Sequence, residues 1–192
     1  MSEVKKEIKS HLKVSFAWLI LVTILSLFRL RAGSFWFWLL GTLFLWLGTL
    51  AGTFLLDIDH LIYWFFTHPE KEDSQKARKL WQGKEYKELL LLLGQSHDSH
   101  TRLIFHSALF QIIFLIFTLY IFTSGGSYFG SGLAAGINLH LLKDEWEEYF
   151  EKKYNHLNDW LFWQLKRKIG LKQQKNFIVL MLSIFLGLSL LV

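Results

Sequence analysis

The chain has 192 residues, 52% of them hydrophobic and 17% aromatic, with eight histidines, no cysteine and a net charge of +5. Residues 34–56 and 103–123 contain no charged side chain, and each stretch exceeds the roughly 20 residues that cross a bilayer. A soluble globular enzyme is therefore excluded. The lack of cysteine excludes a disulfide framework, a thiolate zinc site and a cysteine nucleophile, and the aromatic content excludes intrinsic disorder.

The apolar segments predict an all-α fold, a polytopic membrane helix bundle with about five membrane helices and additional interfacial amphipathic helices. No small-x-small cleavage pattern follows the first segment, so it is interpreted as a membrane helix and not as a signal peptide. The predicted spans of this single domain over residues 1–192 are 14–28, 34–56, 103–123, 128–144 and 177–192. The cytoplasmic segments 57–102 and 145–175 are predicted to contain short amphipathic helices ending near residue 93 and covering 159–169.

Basic residues orient the predicted spans. With the N-terminus placed inside, all 21 Lys and Arg except Arg29 and Arg31 fall in the inner segments 1–13, 57–102 and 143–175. Because positive residues concentrate on the cytoplasmic side, the sequence predicts a multi-pass protein of a prokaryotic plasma (inner) membrane with a cytoplasmic N-terminus. This positive side would favour membrane lipids with anionic headgroups, and no nucleic-acid partner is needed to explain the net charge.

Residues able to bind metal cluster at the ends of the predicted spans. The clusters are His11 before the first span; Asp57, Asp59 and His60 after the second; His97, Asp98, His100, Arg102 and His106 leading into the third; and His140 and Asp144 closing the fourth. Because successive spans alternate in direction, all of these clusters are predicted to lie at the cytoplasmic face. The histidines did not enter the charge count, so their common depth independently indicates one shared site.

Spacing within the clusters favours shared helix faces. Three pairs are three or four residues apart: Asp57 with His60, Arg102 with His106, and His140 with Asp144. His106 is predicted about one turn inside the third span, where an ionisable side chain is normally turned into the bundle.

Small residues recur four positions apart on the second and fourth predicted spans, at Gly48 and Gly52 and at Gly132 and Gly136. Such pairs let helix backbones approach closely, which would bring the acidic end of the second span beside His140. The alternative is that they only reflect how common glycine is in membrane helices.

Imidazoles and carboxylates without thiolates suit Zn, with Mn or Fe as alternatives, and argue against an all-oxygen calcium site. The candidates outnumber the three protein ligands of a catalytic zinc, so either two ions share the carboxylates or some residues orient the ligands. Two neighbouring ions are a common device for phosphoester hydrolysis. Arg102, predicted one turn from His106, would contact a phosphate through two hydrogen bonds.

The order of these motifs resembles the YdjM-like family of membrane-bound metal-dependent hydrolases. Residues 55–60 (LLDIDH) match its DIDH-type motif, residues 136–144 (GINLHLLKD) match its GxxxHxxxD motif, and Arg102 with His106 and Ser107 matches part of its HRGxTHS motif. The resemblance covers roughly residues 11–144 and implies a small helical bundle with metal-dependent hydrolase activity.

The middle motif departs from the family pattern. Thr101 stands where the family has histidine, and His100 is one residue earlier; Leu103 and Phe105 replace the glycine and threonine. From the clusters and the resemblance together, the predicted metal ligands are His11, Asp57, Asp59, His60, His100, His106, His140 and Asp144. The predicted catalytic residues are Asp59, His106 and Arg102.

Three functions remain open from the sequence. The first is a metal-dependent hydrolase with one or two divalent ions at the cytoplasmic membrane face, acting on a lipid or phosphoester. The second is a metal transporter or sensor, which is disfavoured because the third span beyond Gln111 offers only Thr118, Tyr120 and Thr123 as polar groups. The third is a structural membrane protein whose histidines only pair helices.

Overall fold

The computed structural model describes residues 2–28, 35–96 and 99–192. Arg29, Arg31, His97 and Asp98, which entered the predictions above, lie outside the described residues. Within the described ranges most residues are helical and none belongs to a strand, so the all-α prediction is confirmed.

Helices follow one another with short connections. In chain order they are α1 (Ser2–Leu27), α2 (Phe35–Leu55), α3 (Ile58–Ile62), a π-helix (Tyr63–Thr67), α4 (Glu72–Gln82), α5 (Tyr86–Ser96), α6 (Ala108–Thr123), α7 (Tyr128–Phe150), α8 (Tyr154–Leu161) and α9 (Leu171–Ser189). The predicted spans fall on α1, α2, α6, α7 and α9. Helix α1 begins 12 residues before the predicted limit and α6 five residues after it, whereas α7 ends six residues later and α9 begins six residues earlier than predicted.

Two helical stretches in the described chain are long and apolar enough to cross a membrane: Lys5–Leu27, and Phe35–Thr67, which runs through α2, α3 and the π-helix. Helix α6 is apolar but has only 16 residues. Large apolar side chains are exposed on the outside of these helices, among them Trp36 and Phe37 on α2. Such a surface is unfavourable in water, and together with the two apolar helices it favours membrane association.

Helices α2 and α7 form the tightest packing in the molecule. A Cβ added to Gly48 or Gly52 of α2 would lie well under 3.0 Å from backbone atoms of α7, and one added to Gly132 or Gly136 would meet the backbone of α2 in the same way. The glycine pairs therefore allow the close approach of the two helices that their spacing predicted. As a result, the C-terminal end of α2 lies beside the middle of α7.

Two local interruptions shape the end of the bundle. Helix α2 stops at Leu55 and a turn at residues 56–57 precedes α3. Helix α6 begins only at Ala108, because residues 101–107 are not helical and Arg102 has a φ of 62°. The expectation that Arg102 and His106 share one helix face is therefore wrong: a residue in the left-handed region ends helical periodicity.

Apolar side chains form a core on each side of these interruptions. One cluster joins α1, α2, α6, α7 and α9 around Trp18, Leu45 and Phe185. A second joins the π-helix, α4, α5 and α8 around Trp64 and Leu157, and a small third one joins Leu56 to Ile137 and Leu141 of α7. The polar residues of interest come from α1, the α2–α3 turn, residues 101–107 and the middle of α7.

Candidate metal centre

Helices α1 and α7 bring together His11, His140 and Asp144, all of them buried. The Nε2 atoms of His11 and His140 each lie 3.0 Å from a different carboxylate oxygen of Asp144. His140 and Asp144 are four residues apart on α7, so both point from one face of that helix toward α1. The three potential ligand atoms lie within 4.8 Å of one another.

A second group shares His140 with the first. His106 Nε2 lies 3.3 Å from His140 Nε2, and Asp57 Oδ1 lies 3.6 Å from the same His140 atom. Again the potential ligand atoms are within 4.8 Å of one another. The Asp57 side chain is 31% exposed, whereas His106 and His140 are buried. This group therefore connects the buried cluster to solvent through one carboxylate.

Each of the three histidines is held through its other ring nitrogen. Nδ1 of His140 donates to the Thr53 carbonyl oxygen at 2.6 Å, and Nδ1 of His106 lies 3.2 Å from Asp59 Oδ2. Nδ1 of His11 lies 3.2 Å from the Glu7 carbonyl oxygen. A proton on Nδ1 leaves Nε2 as the lone-pair atom, and this arrangement is the usual one for histidines that bind metal.

Asp59 is fully buried but belongs to neither ligand group. Its Oδ2 accepts hydrogen bonds from the backbone N–H of Phe105 at 2.5 Å and of His106 at 3.2 Å, besides the ring of His106. The structure therefore places Asp59 where it fixes both the irregular segment 101–107 and the orientation of the His106 ring.

The buried groups of the cluster could hold a metal ion. His11 Nε2 and Asp144 Oδ2 are both buried and neither makes a hydrogen bond, although each has a potential ligand atom 3.0 Å away. Buried polar atoms without hydrogen bonds are costly. An ion coordinated by these nitrogen and oxygen atoms would remove that cost, and a set of imidazoles and carboxylates suits Zn, Mn or Fe.

His60 and His100 lie beside this cluster in a separate hydrogen-bonded chain. The two Nδ1 atoms are 2.7 Å apart, and His100 Nε2 donates to Asp73 Oδ2 at 2.7 Å. Trp64 donates to the same carboxylate oxygen at 2.9 Å. Burial alone would raise the pKa of Asp73, but the hydrogen bonds from His100 and Trp64 hold it below its usual value. Both nitrogens of His100 are thus engaged away from the ligand groups.

Arg102 faces a different part of the surface. It is exposed and lines a cavity of about 350 Å³ together with Lys166, Arg167 and Lys168. Ser107, its neighbour in the middle motif, is buried and caps α6 by accepting from the Phe110 N–H at 3.3 Å. The structure therefore places neither side chain among the potential ligands.

A polar cavity of about 330 Å³ opens next to Asp144. Lys143 lies in its wall, pairs with Glu7, and has its Nζ 2.6 Å from Glu147 Oε2 and 3.2 Å from Asp144 Oδ1. Sequence reasoning overlooked Glu7, Lys143 and Asp73. A signal existed only for Lys143, which directly precedes the motif residue Asp144; the other two become recognisable only when the helices are packed.

Comparison of the chain with protein-family models, with curated proteins and with solved structures finds no match. Functional inference for this chain therefore depends on the geometry of its own residues.

Proposed function

We propose that the protein is an integral membrane metal-dependent hydrolase that acts on a lipid phosphoester at the cytoplasmic face. One observation carries the proposal: the Nε2 atoms of His11, His106 and His140 gather with the carboxylates of Asp57 and Asp144, and each imidazole is anchored through Nδ1. If the histidines only linked helices by hydrogen bonds, their Nε2 atoms would not need to point toward one place. The resemblance to the YdjM-like family points to the same chemistry.

The roles of individual residues follow from their burial. His106 and His140 are the most enclosed ligands, His11 and Asp144 are nearly as buried, and only Asp57 of the two ligand groups extends the site toward solvent. A divalent ion held by these ligands would supply an acidified water and would polarise a phosphoryl oxygen. Asp57 is the carboxylate of the ligand groups that solvent reaches, so we propose that it accepts the proton of the attacking water. Asp59 positions His106 and has no direct part in the reaction.

In the proposed reaction a water molecule displaces an alcohol from the phosphorus atom. The water oxygen forms a bond to phosphorus, the bond between phosphorus and the leaving oxygen breaks, and the leaving alcohol departs with a proton. Asp57 accepts the water proton at a carboxylate oxygen and can return it to the leaving oxygen. The buried neighbours of Asp57 keep bulk water away from the other ligands.

The membrane arrangement is part of the proposal. We place α1, α2, α6, α7 and α9 across a plasma membrane with the N-terminus in the cytoplasm. The distribution of Lys and Arg and the exposed apolar surface of the helices support this placement. Helix α6, with 16 residues, is about 24 Å long, and a span slightly shorter than the hydrocarbon layer is tolerated.

Metal content tests the proposal first. Protein purified in detergent, without chelator, should contain a stoichiometric divalent metal by mass spectrometry. His140→Ala should lose it, because His140 belongs to both ligand groups. His68→Ala is the matched control, since that histidine stacks on Tyr63 and makes no contact with the ligand groups. A wild-type protein that binds no divalent metal would sink the proposal.

Activity tests it second. The metal-loaded protein should hydrolyse a soluble phosphodiester such as bis(p-nitrophenyl) phosphate, and Asp57→Asn should lower kcat by about 10²-fold or more, as expected for the loss of a general base. A metal-loaded protein inert toward phosphomonoesters, phosphodiesters and phospholipids alike would leave metal binding standing and refute hydrolysis.

A further inference from the structure

Two cavities beside the candidate metal centre share part of their lining. The polar cavity reaches Asp144, and an apolar groove of about 520 Å³ lies between α1, α7 and α9. Lys143 and Glu147 line both. A single ligand can therefore extend from the metal cluster into the groove by passing these two side chains.

The groove has the character of a hydrocarbon site. Apart from Ser10, Lys143 and Glu147 its lining is apolar, with Leu139 and Phe185 buried in its floor. Its volume lies within the range of about 300–1,000 Å³ typical of ligand pockets. Its walls belong to helices that we place in the membrane, so its natural occupant is a hydrocarbon chain supplied by a lipid.

Charge distinguishes between lipid head groups. Five carboxylates and three lysines line the polar cavity, namely Glu7, Asp144, Glu147, Glu148 and Glu151 with Lys6, Lys143 and Lys153. A divalent cation at Asp144 would offset this negative excess. An anionic head group would then bring an uncompensated charge into a partly buried space, whereas a head group with no net charge would not.

We propose that the site binds a zwitterionic phospholipid, with its head in the polar cavity and one hydrocarbon chain in the apolar groove. This inference rests on the hydrolase function proposed above and names its substrate class. The phosphate lies toward the ligands around Asp144, and the ammonium group lies toward the acidic rim at Glu148 and Glu151, which already binds the cationic side chain of Lys153 and the ring of His156. Lys143 and Glu147 separate the two parts of the ligand.

Lipid retention tests the inference without requiring turnover. Metal-loaded protein in detergent is incubated with equal amounts of long-chain phosphatidylcholine and phosphatidylglycerol, and bound lipid, intact or hydrolysed, is counted by native mass spectrometry. Wild type should retain phosphatidylcholine in preference. Leu182→Trp and Val14→Trp, which fill the groove from α9 and α1, should each reduce retention by about tenfold.

Ile184→Trp is the matched control, because Ile184 is an exposed apolar residue of α9 outside the groove; it should retain lipid as wild type does. The inference would be overturned if both groove variants retained as much lipid as wild type, or if wild type retained phosphatidylglycerol in preference to phosphatidylcholine. Hydrolysis of bis(p-nitrophenyl) phosphate is measured on the same samples. Soluble hydrolysis without lipid retention defeats the lipid assignment alone, whereas retained lipid without hydrolysis of any phosphoester defeats the hydrolase proposal.

Discussion

A histidine binds metal well only if its ring is held in one tautomer and one orientation. In this protein the Thr53 carbonyl, the Glu7 carbonyl and the Asp59 carboxylate hold the Nδ1 sides of three different rings. Two of these acceptors are backbone atoms of helices, which cannot be removed by substitution. Asp59 is a side chain and can be substituted. A variant at this position therefore tests the orientation of the His106 ring while all proposed ligands stay in place.

Asp59→Asn should weaken metal binding without abolishing it. An asparagine keeps the size of the side chain but removes the charge that orients His106, and loss of such a partner typically costs 10–100-fold in metal affinity. Competition titration with a chromophoric chelator measures the affinity. Asp159→Asn, at an exposed position, should leave it unchanged. Complete loss of metal from Asp59→Asn would show instead that Asp59 is itself a ligand.

Lys143→Gln should destabilise the metal-free protein and be rescued by metal. The lysine is buried among Glu7, Asp144 and Glu147. Its removal leaves clustered carboxylates without a counter-charge, at a cost of about 1–3 kcal/mol because Glu7 and Glu147 are partly exposed to solvent. A bound divalent ion restores positive charge at Asp144. Thermal unfolding should therefore show a Tm loss that shrinks when metal is added.

The control for this prediction is another lysine of the same cavity. Lys153 is 38% exposed and pairs with Glu148 and Glu151, and such solvent-exposed pairs contribute about 0–1 kcal/mol. Lys153→Gln should therefore change Tm little with or without metal. A Lys143→Gln variant as stable as wild type in the absence of metal would contradict the charge argument.

At the scale of elements, the packing of α2 on α7 sets the distance across the site. Gly136 is one turn before His140, and Thr53, which anchors that histidine, is next to Gly52. Any side chain between the helices would separate Thr53 from His140. Close helix packing is therefore a condition for the geometry of the metal cluster as well as for stability.

Gly136→Ala should destabilise the protein and lower its metal content together. Its new Cβ would overlap backbone atoms of Thr49 and Thr53, and such overpacking typically costs about 1–3 kcal/mol. Gly130→Ala is the matched control on the same helix, since its Cβ would make only an ordinary contact at 3.7 Å with Ser127; alanine there should be neutral or slightly stabilising. Identical Tm and metal content for the two variants would contradict the packing argument.

Helical regularity explains what the sequence could and could not predict. The apolar segments and the glycine spacing predicted helices and the approach of α2 to α7, because both depend on repeating patterns along one helix. The irregular segment 101–107 could not be predicted in this way, since the side chain of Asp59, far away in the chain, stabilises it. For the same reason the helical position expected for Arg102 was wrong.

The same limit applies to partners far apart in the chain. The link between His100 and Asp73 joins two segments 27 residues apart, and neither spacing nor charge marks Asp73 in the sequence. The approach of His11, His106 and His140 to one another was predictable because it needed only the alternation of helix direction. The division between ligand groups and the His60–His100 chain needed side-chain geometry.

At the scale of the whole molecule, the proposal requires that α6 and α7 each cross the membrane. The chain has no cysteine, so a single introduced cysteine is the only site for a membrane-impermeant maleimide. In intact cells Ser124→Cys, between α6 and α7, should react from outside. Gln75→Cys and Lys168→Cys, both at exposed positions, should react only after the cells are permeabilised, because the positive segments stay in the cytoplasm. Labelling of Ser124→Cys and Gln75→Cys from the same side would show that α6 does not span, and the metal clusters would then lose their common depth.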